Sequence, residues 1–496
     1  MRVAASRSRV TLIHAPTVAL KIRGFHDPRF ALLFDSAAYL GNVYRRIIPP
    51  SLPRVASIME KDLRTDVRIL DLRIADYKRE ELYKTINWEG YQVEARRVGG
   101  AFGLADEAIA DSDWIGMSSH FTFESGVVRD LISHAKNVNP AVKVMVGGAD
   151  VKARPLDYLR FGADLVFSGD FDPLAFASYE GGRAVVPAHR HPFPELTDPA
   201  FHKLDHLADY DESHDGPVPD GVPFPIAFIY FTRGCPRECD FCESRRSGFE
   251  VLDLDTSVAM LERYRAAGVK TLNFADDNLL IAAAKADTRA NLLRLLRVMR
   301  DLGFAWEFPN GLEIGRLIKD DTLDEELMEA LFTHTADAIS GRITGAYRAY
   351  VPVESFDHRD RYKKLKPVEQ QSRVIKWLAS AGLPEIDFGV VLPPDADNNT
   401  FRQIRDGYLQ IKDIVTRAGD TKARYAVFHL IPIALYRSMP TKYTMDEFPE
   451  GWNFYFPVYD GVNFSAKELF ERRLELVQEL DPRNYESMLV GQYDYA

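Results

Sequence analysis

Short apolar runs alternate with helical stretches along most of this chain, and that alternation restricts it to an α/β fold built on parallel strands. In the first part, residues 10–15, 67–71, 114–118, 142–146 and 164–167 read as buried strands, each rich in Val, Ile or Leu and bounded by turn residues. Residues 127–136 read as one of the helices between them. This is the pattern of a doubly wound, Rossmann-like sheet. A second series begins at Ile226. Strands are expected at 226–231, 271–274, 306–308, 349–353, 386–392 and 425–430. Helices between them end near Gly268, Gly303, Gly382 and Gly419, and glycine just past a helix end is a stop signal because it takes the left-handed conformation cheaply. Leu292, Leu295, Leu296 and Met299 share one helix face, as do Phe401, Ile404, Tyr408, Ile411 and Val415. Six strands with crossover helices suit a partial (β/α)6 barrel of the TIM type, whose sites lie at the carboxyl ends of the strands.

The expected division is therefore a sheet domain over 1–182, a linker over 183–223, a barrel over 224–440 and a small C-terminal cap over 441–496 with a helix near 466–479. The linker reading rests on Pro187, Pro192, Pro194, Pro199, Pro217, Pro219 and Pro223.

The first strand of the second series runs into Gly234-Cys235-Pro236-Arg237-Glu238-Cys239-Asp240-Phe241-Cys242, which holds the only three cysteines of the 496 residues. Thiolates are soft ligands that suit iron–sulfur clusters and zinc. Three are one short of a closed tetrahedral site, so a cluster held by Cys235, Cys239 and Cys242 keeps one iron open to a further ligand. A zinc site that borrows a histidine is the competing reading. A disulfide framework fits an odd, clustered set of thiols poorly.

The Cys-x3-Cys-x2-Cys spacing, with an aromatic before the last cysteine, resembles the signature of radical S-adenosylmethionine (SAM) enzymes. That resemblance implies a 4Fe–4S cluster on the three cysteines and SAM on the open iron. It also implies an electron donor such as flavodoxin or ferredoxin. Phe241 matches the family's aromatic beside the adenine. The run Asp276-Asp277-Asn278 after the second strand offers acceptors for the SAM ammonium and resembles a run in members with an N-terminal cobalamin-type domain. Asn310 and Glu313 follow the third strand, Glu354 and Ser355 the fourth, and Val390 lies in the fifth, whose backbone flanks adenine in the family. Arg359 and Arg361 are candidates for the SAM carboxylate, and His429, Pro432 and Tyr436 for a set facing the mouth.

The first domain resembles the cobalamin-binding domain of that subfamily, in loops carrying Ser118, Ser119, Gly147, Gly148 and Gly169. Glycines there are expected to let the backbone approach a bulky cofactor. The Asp-x-His-x-x-Gly element of many cobalamin proteins is absent. The resemblance implies an enzyme acting on a small molecule, with cobalamin-dependent methyl transfer in specialised metabolism as the main reading. The alternative is cobalamin-free transfer of the 3-amino-3-carboxypropyl group of SAM, or a rearrangement. A non-catalytic protein with a structural metal is the reading from another class.

Net charge is −11 and no basic stripe is visible, which argues against a nucleic-acid partner. No apolar run approaches the ~18 residues of a membrane span, and no secretory h-region follows the N-terminal arginines, so a cytoplasmic protein without a membrane partner is expected. If the three thiols hold one cluster, Cys235→Ala, Cys239→Ala and Cys242→Ala each abolish its assembly and leave a soluble chain. Iron and sulfide counting after anaerobic reconstitution checks this, and a triple variant that still holds iron rejects the ligand set.

Overall fold

The computed structural model describes residues 8–23, 38–39, 46–213, 218–354, 356 and 368–483. The chain forms two compact units. Among the described residues the first takes 8–23, 46–210 and 445–452, and the second takes most of the remainder. Residues 441–496 are thus shared between the units, and so are residues 183–223.

The first unit is built on a six-stranded parallel sheet in the order Ala184–Val186, Leu165–Phe167, Lys143–Gly147, Trp114–Ser118, Arg9–His14, Asp66–Asp71. The strand order reverses at Arg9–His14, which is the switch point of a doubly wound sheet. All of Val10 to His14 is buried, as a strand with both faces covered must be. The five expected strands are present within a residue or so of their expected bounds, and the helix expected at 127–136 is Ser125–Val138. Ala184–Val186 adds a strand at the edge, within the proline-rich stretch.

A further element was not read from the sequence. Thr17–Arg23, Glu80–Trp88 and Tyr91–Val98 form an antiparallel ribbon. Its hairpin turns at Glu89 and Gly90, both at positive φ (49° and 85°), the geometry that matches strand twist. Glu80–Trp88 has no residue fully buried before Trp88, so it carries little apolar signal.

The second unit contains the barrel. Strands Ile226–Ile229, Thr271–Phe274, Ala305–Phe308, Ile343–Glu354, Glu385–Leu392 and Lys422–His429 lie side by side in sequence order, each parallel to the next. The last does not pair with the first, so the barrel is partial. Crossover helices Leu254–Ala266, Ala286–Asp301, Glu325–Phe332, Val368–Ser380 and Asn398–Ala418 separate the strands. Helix Ala466–Leu480 packs on the last strand and on Asn398–Ala418, which makes it the sixth outer helix. It is tied there by Arg473 Nε donating to the Val427 carbonyl and by Asp481 accepting from the Tyr425 amide at 3.0 Å. Gly268, Gly303 and Gly382 are left-handed as expected (φ 95°, 72° and 72°). Gly419 is instead extended, with φ 172°, and a Cβ there would stand 2.9 Å from the Ala379 carbonyl oxygen, so close packing accounts for that glycine.

Alternation along the strands separates two faces. Leu272, Trp306, Phe388 and Tyr425 are buried against the helices. The opposite face carries Asn273, Glu307, Arg348, Asp387 and Arg424. These polar side chains bond across the floor of the barrel. Arg348, fully buried, reaches Glu307 at 3.1 Å and Glu385 at 2.7 Å. Asn273 Nδ2 and Ser213 Oγ donate to Glu307, and Arg424 to Asp387. Burying an ion without its partner is costly, so Arg348→Met is expected to destabilise the chain by about 3–5 kcal/mol through the stranded Glu307. Urea unfolding of Arg348→Met against wild type measures this. A loss under about 1 kcal/mol, the range of an exposed pair, rejects the floor network as a stabilising element.

Candidate active site at the barrel mouth

The cysteine loop leaves the carboxyl end of the first barrel strand. Thr232–Arg233 pairs antiparallel with Glu250–Val251 and closes the loop at its base. Gly234, at φ +86°, lies against the far side of that base, where an added Cβ would stand 2.0 Å from the Gly248 carbonyl oxygen. Only glycine fits both constraints. Inside the loop the Cys235 amide donates to Ser247 Oγ at 2.8 Å. Cys235 and Cys239 are buried, while Cys242 and Phe241 are half-buried. No three His, Cys, Asp or Glu side chains among the described residues surround a single-ion position.

The acidic run after the second strand braces this loop. Asp276 Oδ1 accepts from the Phe231 amide at 3.1 Å, the Thr232 amide, and Thr232 Oγ1 at 2.6 Å. Its other oxygen is buried with no hydrogen-bond partner among the described residues. Burial therefore outweighs those bonds and pushes the Asp276 carboxyl up to about 7. Asp277 accepts from the Gly234 amide at 2.8 Å and from Ser244 Oγ. Asn278 Nδ2 reaches Glu313 Oε2 at 2.9 Å and Cys235 Sγ at 3.9 Å. Glu313 is buried and also accepts a two-pronged bond from Arg237 of the cysteine loop.

The remaining barrel candidates divide. Asn310 is exposed and its Nδ2 meets the Asp276 carbonyl at 3.5 Å. Glu354 ends the fourth strand, but its side chain, Ser355, Arg359 and Arg361 lie outside the described residues. Val390 shares the parity of Ile386 and Phe388, so its side chain is buried toward the helices and only its backbone borders the barrel interior. Gly389 and Val391 have the inward parity, and the Tyr350 ring covers Gly389 so closely that a Cβ there would overlap its hydroxyl. Phe228 and Phe428 share the inward parity and are half-buried; Phe228 and Tyr350 stand level with the charged floor and Phe428 beyond it, so the lumen is partly aromatic.

The set expected after the sixth strand is partly corrected. His429 has the outward parity, is fully buried, and neither ring nitrogen has a hydrogen-bond partner among the described residues. Burial, and then Arg473, hold its imidazole well below the usual histidine range, so it stays neutral in the core. Tyr436 does reach the site, donating to Asp240 Oδ2 at 2.8 Å. The Leu435 amide donates to the Asp240 carbonyl at 3.0 Å, and Ala434 N and Arg437 donate to Glu243 at 2.9 and 2.7 Å. This clasp joins the loops of the first and last strands where the sheet itself is open. Sequence reasoning missed it, because nothing local marks Asp240 and Glu243 as partners of residues some 190 positions away.

In the first unit, Ser118, Ser119, Gly147, Gly148 and Gly169 all lie at the carboxyl edge of the parallel sheet. Ser118 accepts from Ser51 at 2.9 Å, and Ser119 is buried and accepts from Tyr158 at 2.6 Å. The glycines have a different reason from the one expected. A Cβ on Gly148 would lie 2.3 Å from the Ser119 carbonyl oxygen, and one on Gly169 2.4 Å from that of His189. They let neighbouring loops of the chain meet. Gly147 alone is open, with Phe167 Cβ at 3.8 Å as the nearest atom.

The signature of the radical SAM superfamily matches residues 229–404, the span that carries the cysteine loop and its braces. Residues 229–404 form a radical SAM domain. It is 23% identical over 412 residues to cytidylyl-2-hydroxyethylphosphonate methyltransferase of Streptomyces wedmorensis, covering 71% of this chain and 70% of that one. The fold is also that of TsrM, a radical SAM methyltransferase of Kitasatospora setae. One TsrM structure, with cobalamin and a [4Fe-4S] cluster bound, covers 87% of this chain and 77% of TsrM at a TM-score of 0.50 and 14% identity. Another, with tryptophan substrate and a SAM analogue bound, gives 0.51 at 15% identity and covers 86% and 75%. This chain is thus a radical SAM enzyme, and no described helix is long and apolar enough to cross a membrane.

In this radical SAM domain Asp276 makes stability pH-dependent. Its folded pKa, about 7, lies above the unfolded value of 3.8, so its contribution is fully present below about 4 and is lost as pH rises through 7. Asp276→Asn keeps the acceptor oxygen and removes the charge. The cluster-free variant is expected to lose less stability between pH 5 and pH 8 than wild type. Urea midpoints at the two pH values check this, and equal losses reject the raised pKa.

Proposed function

We propose that this radical SAM enzyme uses a 4Fe–4S cluster, SAM and cobalamin to methylate a small molecule. The observation that carries the reading is the cysteine loop. Its three thiols leave the carboxyl end of the first strand in a six-stranded parallel barrel and are braced from the second strand. That donor set fits a cluster with one iron open for SAM. The bound cluster supplies one electron to the sulfonium of SAM. This chain's own residues hold the site in shape. Asp276 and Asp277 fix the loop backbone, and the clasp from Tyr436 closes the gap beside it. The half-buried rings of Phe228, Tyr230, Tyr350 and Phe428 restrict water in the lumen, which a reactive radical requires. Pro236, Glu238, Glu243 and Arg246 form the exposed rim of the loop, where a flavodoxin or ferredoxin donor can approach.

Cobalamin is supported by the methyltransferase relatives and by the carboxyl edge of the first unit. Gly147 is open there, and Phe121 and Phe123 stack at 5.2 Å beside the exposed His120, a surface apolar enough to meet a corrin. When bound, cobalamin accepts and donates a methyl group. A second reading, cobalamin-free transfer of the aminocarboxypropyl group, is favoured by Gly148 and Gly169, which the chain's own loops already fill.

Anaerobic reconstitution with cobalamin and SAM separates the two. Methyl transfer leaves S-adenosylhomocysteine and 5′-deoxyadenosine, together with corrin absorbance that survives desalting. Methylthioadenosine without either product, and no retained corrin, rejects the first reading and supports the second.

A further inference from the structure

Asn278, Glu313 and Arg237 stand apart from the other mouth residues because they form a hydrogen-bonded chain that ends on the sulfur of a cysteine. Both hydrogens of the Asn278 amide nitrogen have acceptors on one side, Glu313 Oε2 at 2.9 Å and Cys235 Sγ at 3.9 Å. The reversed amide would turn its oxygen toward a carboxylate and a thiol sulfur, so the partners decide the orientation. At 3.9 Å the contact is long for a neutral thiol, and the thiolate that a cluster requires is the stronger acceptor. Glu313, 8% exposed, holds Asn278 in place and is itself gripped by Arg237 Nε at 3.1 Å, with Arg316 also 3.1 Å away. One carboxylate therefore sits between two guanidinium groups, so that trio carries a net positive charge.

We propose that Asn278, Glu313 and Arg237 are positioning residues that hold the Cys235 sulfur and set the reduction potential of the cluster in this loop. The inference rests on the cluster reading above and assigns Asn278 and Glu313 to the sulfur side of the site rather than to SAM. Hydrogen bonds to cluster sulfurs and nearby charge are the protein's main controls on such potentials. An N–H donor and a positive charge both favour the reduced cluster, and a negative charge opposes it.

The test is a redox titration of the reconstituted full-length chain followed by electron paramagnetic resonance, with SAM affinity measured alongside. Asn278→Ala removes the donor and Arg237→Gln removes the positive charge, so both shift the potential to more negative values. Glu313→Gln removes the negative charge and shifts it the other way. SAM affinity changes less than tenfold in all three. Arg237 is partly exposed and Arg316 still pairs with Glu313 when it is replaced, so Arg237→Gln carries the test should Asn278→Ala load no cluster. A loaded wild type whose loaded variants keep its potential, or show only weaker SAM binding, overturns this inference alone. A wild type that takes up no iron overturns the cluster reading and the inference together.

Discussion

Two neighbouring carboxylates at the end of one barrel strand hold the backbone of the loop that follows another. Asp276 and Asp277 accept from the amides of Phe231, Thr232 and Gly234, and the rest of the site depends on those bonds. The cysteine loop has almost no secondary structure of its own, and ordering such backbone costs about 1–2 kcal/mol per residue. Something outside the loop must supply that ordering. The second strand supplies it from one side and the clasp through Asp240 and Glu243 from the other. The result is a set of thiols held in a fixed frame before any ligand binds, which is the preorganisation that chemistry at an open metal position requires.

The barrel beneath is unusual in what fills it. Its lowest layer is charged rather than aliphatic, with Arg348 bonded to Glu307 and Glu385 and Arg424 to Asp387. A paired network of this kind adds little net stability over an apolar core, yet it cannot slip, because every partial shift strands a buried charge. On the same inward face Phe228 and Tyr350 stand level with these charged groups and Phe428 beyond them, so the lumen mixes charge with aromatic rings.

The first unit shows the same economy at its switch point. Asp71 sits at the end of one strand with His14 at 3.0 Å and the Tyr210 hydroxyl at 3.0 Å. Burial opposes its ionisation, but His14, Arg73 and Tyr210 together hold its carboxyl below the usual range. Arg73 in turn pairs with the buried Glu124 at 2.8 Å. The crevice that doubly wound sheets use for ligands is thus floored by the protein's own ion pairs, and any cofactor held there meets the loop surface above them.

The sequence alone determined the architecture. Buried parallel strands read as continuous apolar runs and helices as one-sided stripes, because burial on two faces or one is a property of the residues themselves. Thus Trp114–Ser118 and Thr271–Phe274 stand where their composition put them, and the spacing of Cys235, Cys239 and Cys242 marked the site. The hairpin of Glu80–Trp88 and Tyr91–Val98 escaped notice because its exposed strands lack that pattern. Tertiary structure decided what each marked residue does. Asp276, Asp277, Asn278 and Glu313 were legible as polar groups near the mouth, but only the fold turned them onto the cysteine loop. It likewise turned His429 and Val390 away from the lumen, by strand parity, and filled the space beside Gly148 and Gly169 with neighbouring loops. Partners of that kind come from contacts between distant segments, and a residue's type does not say which distant segment it will meet.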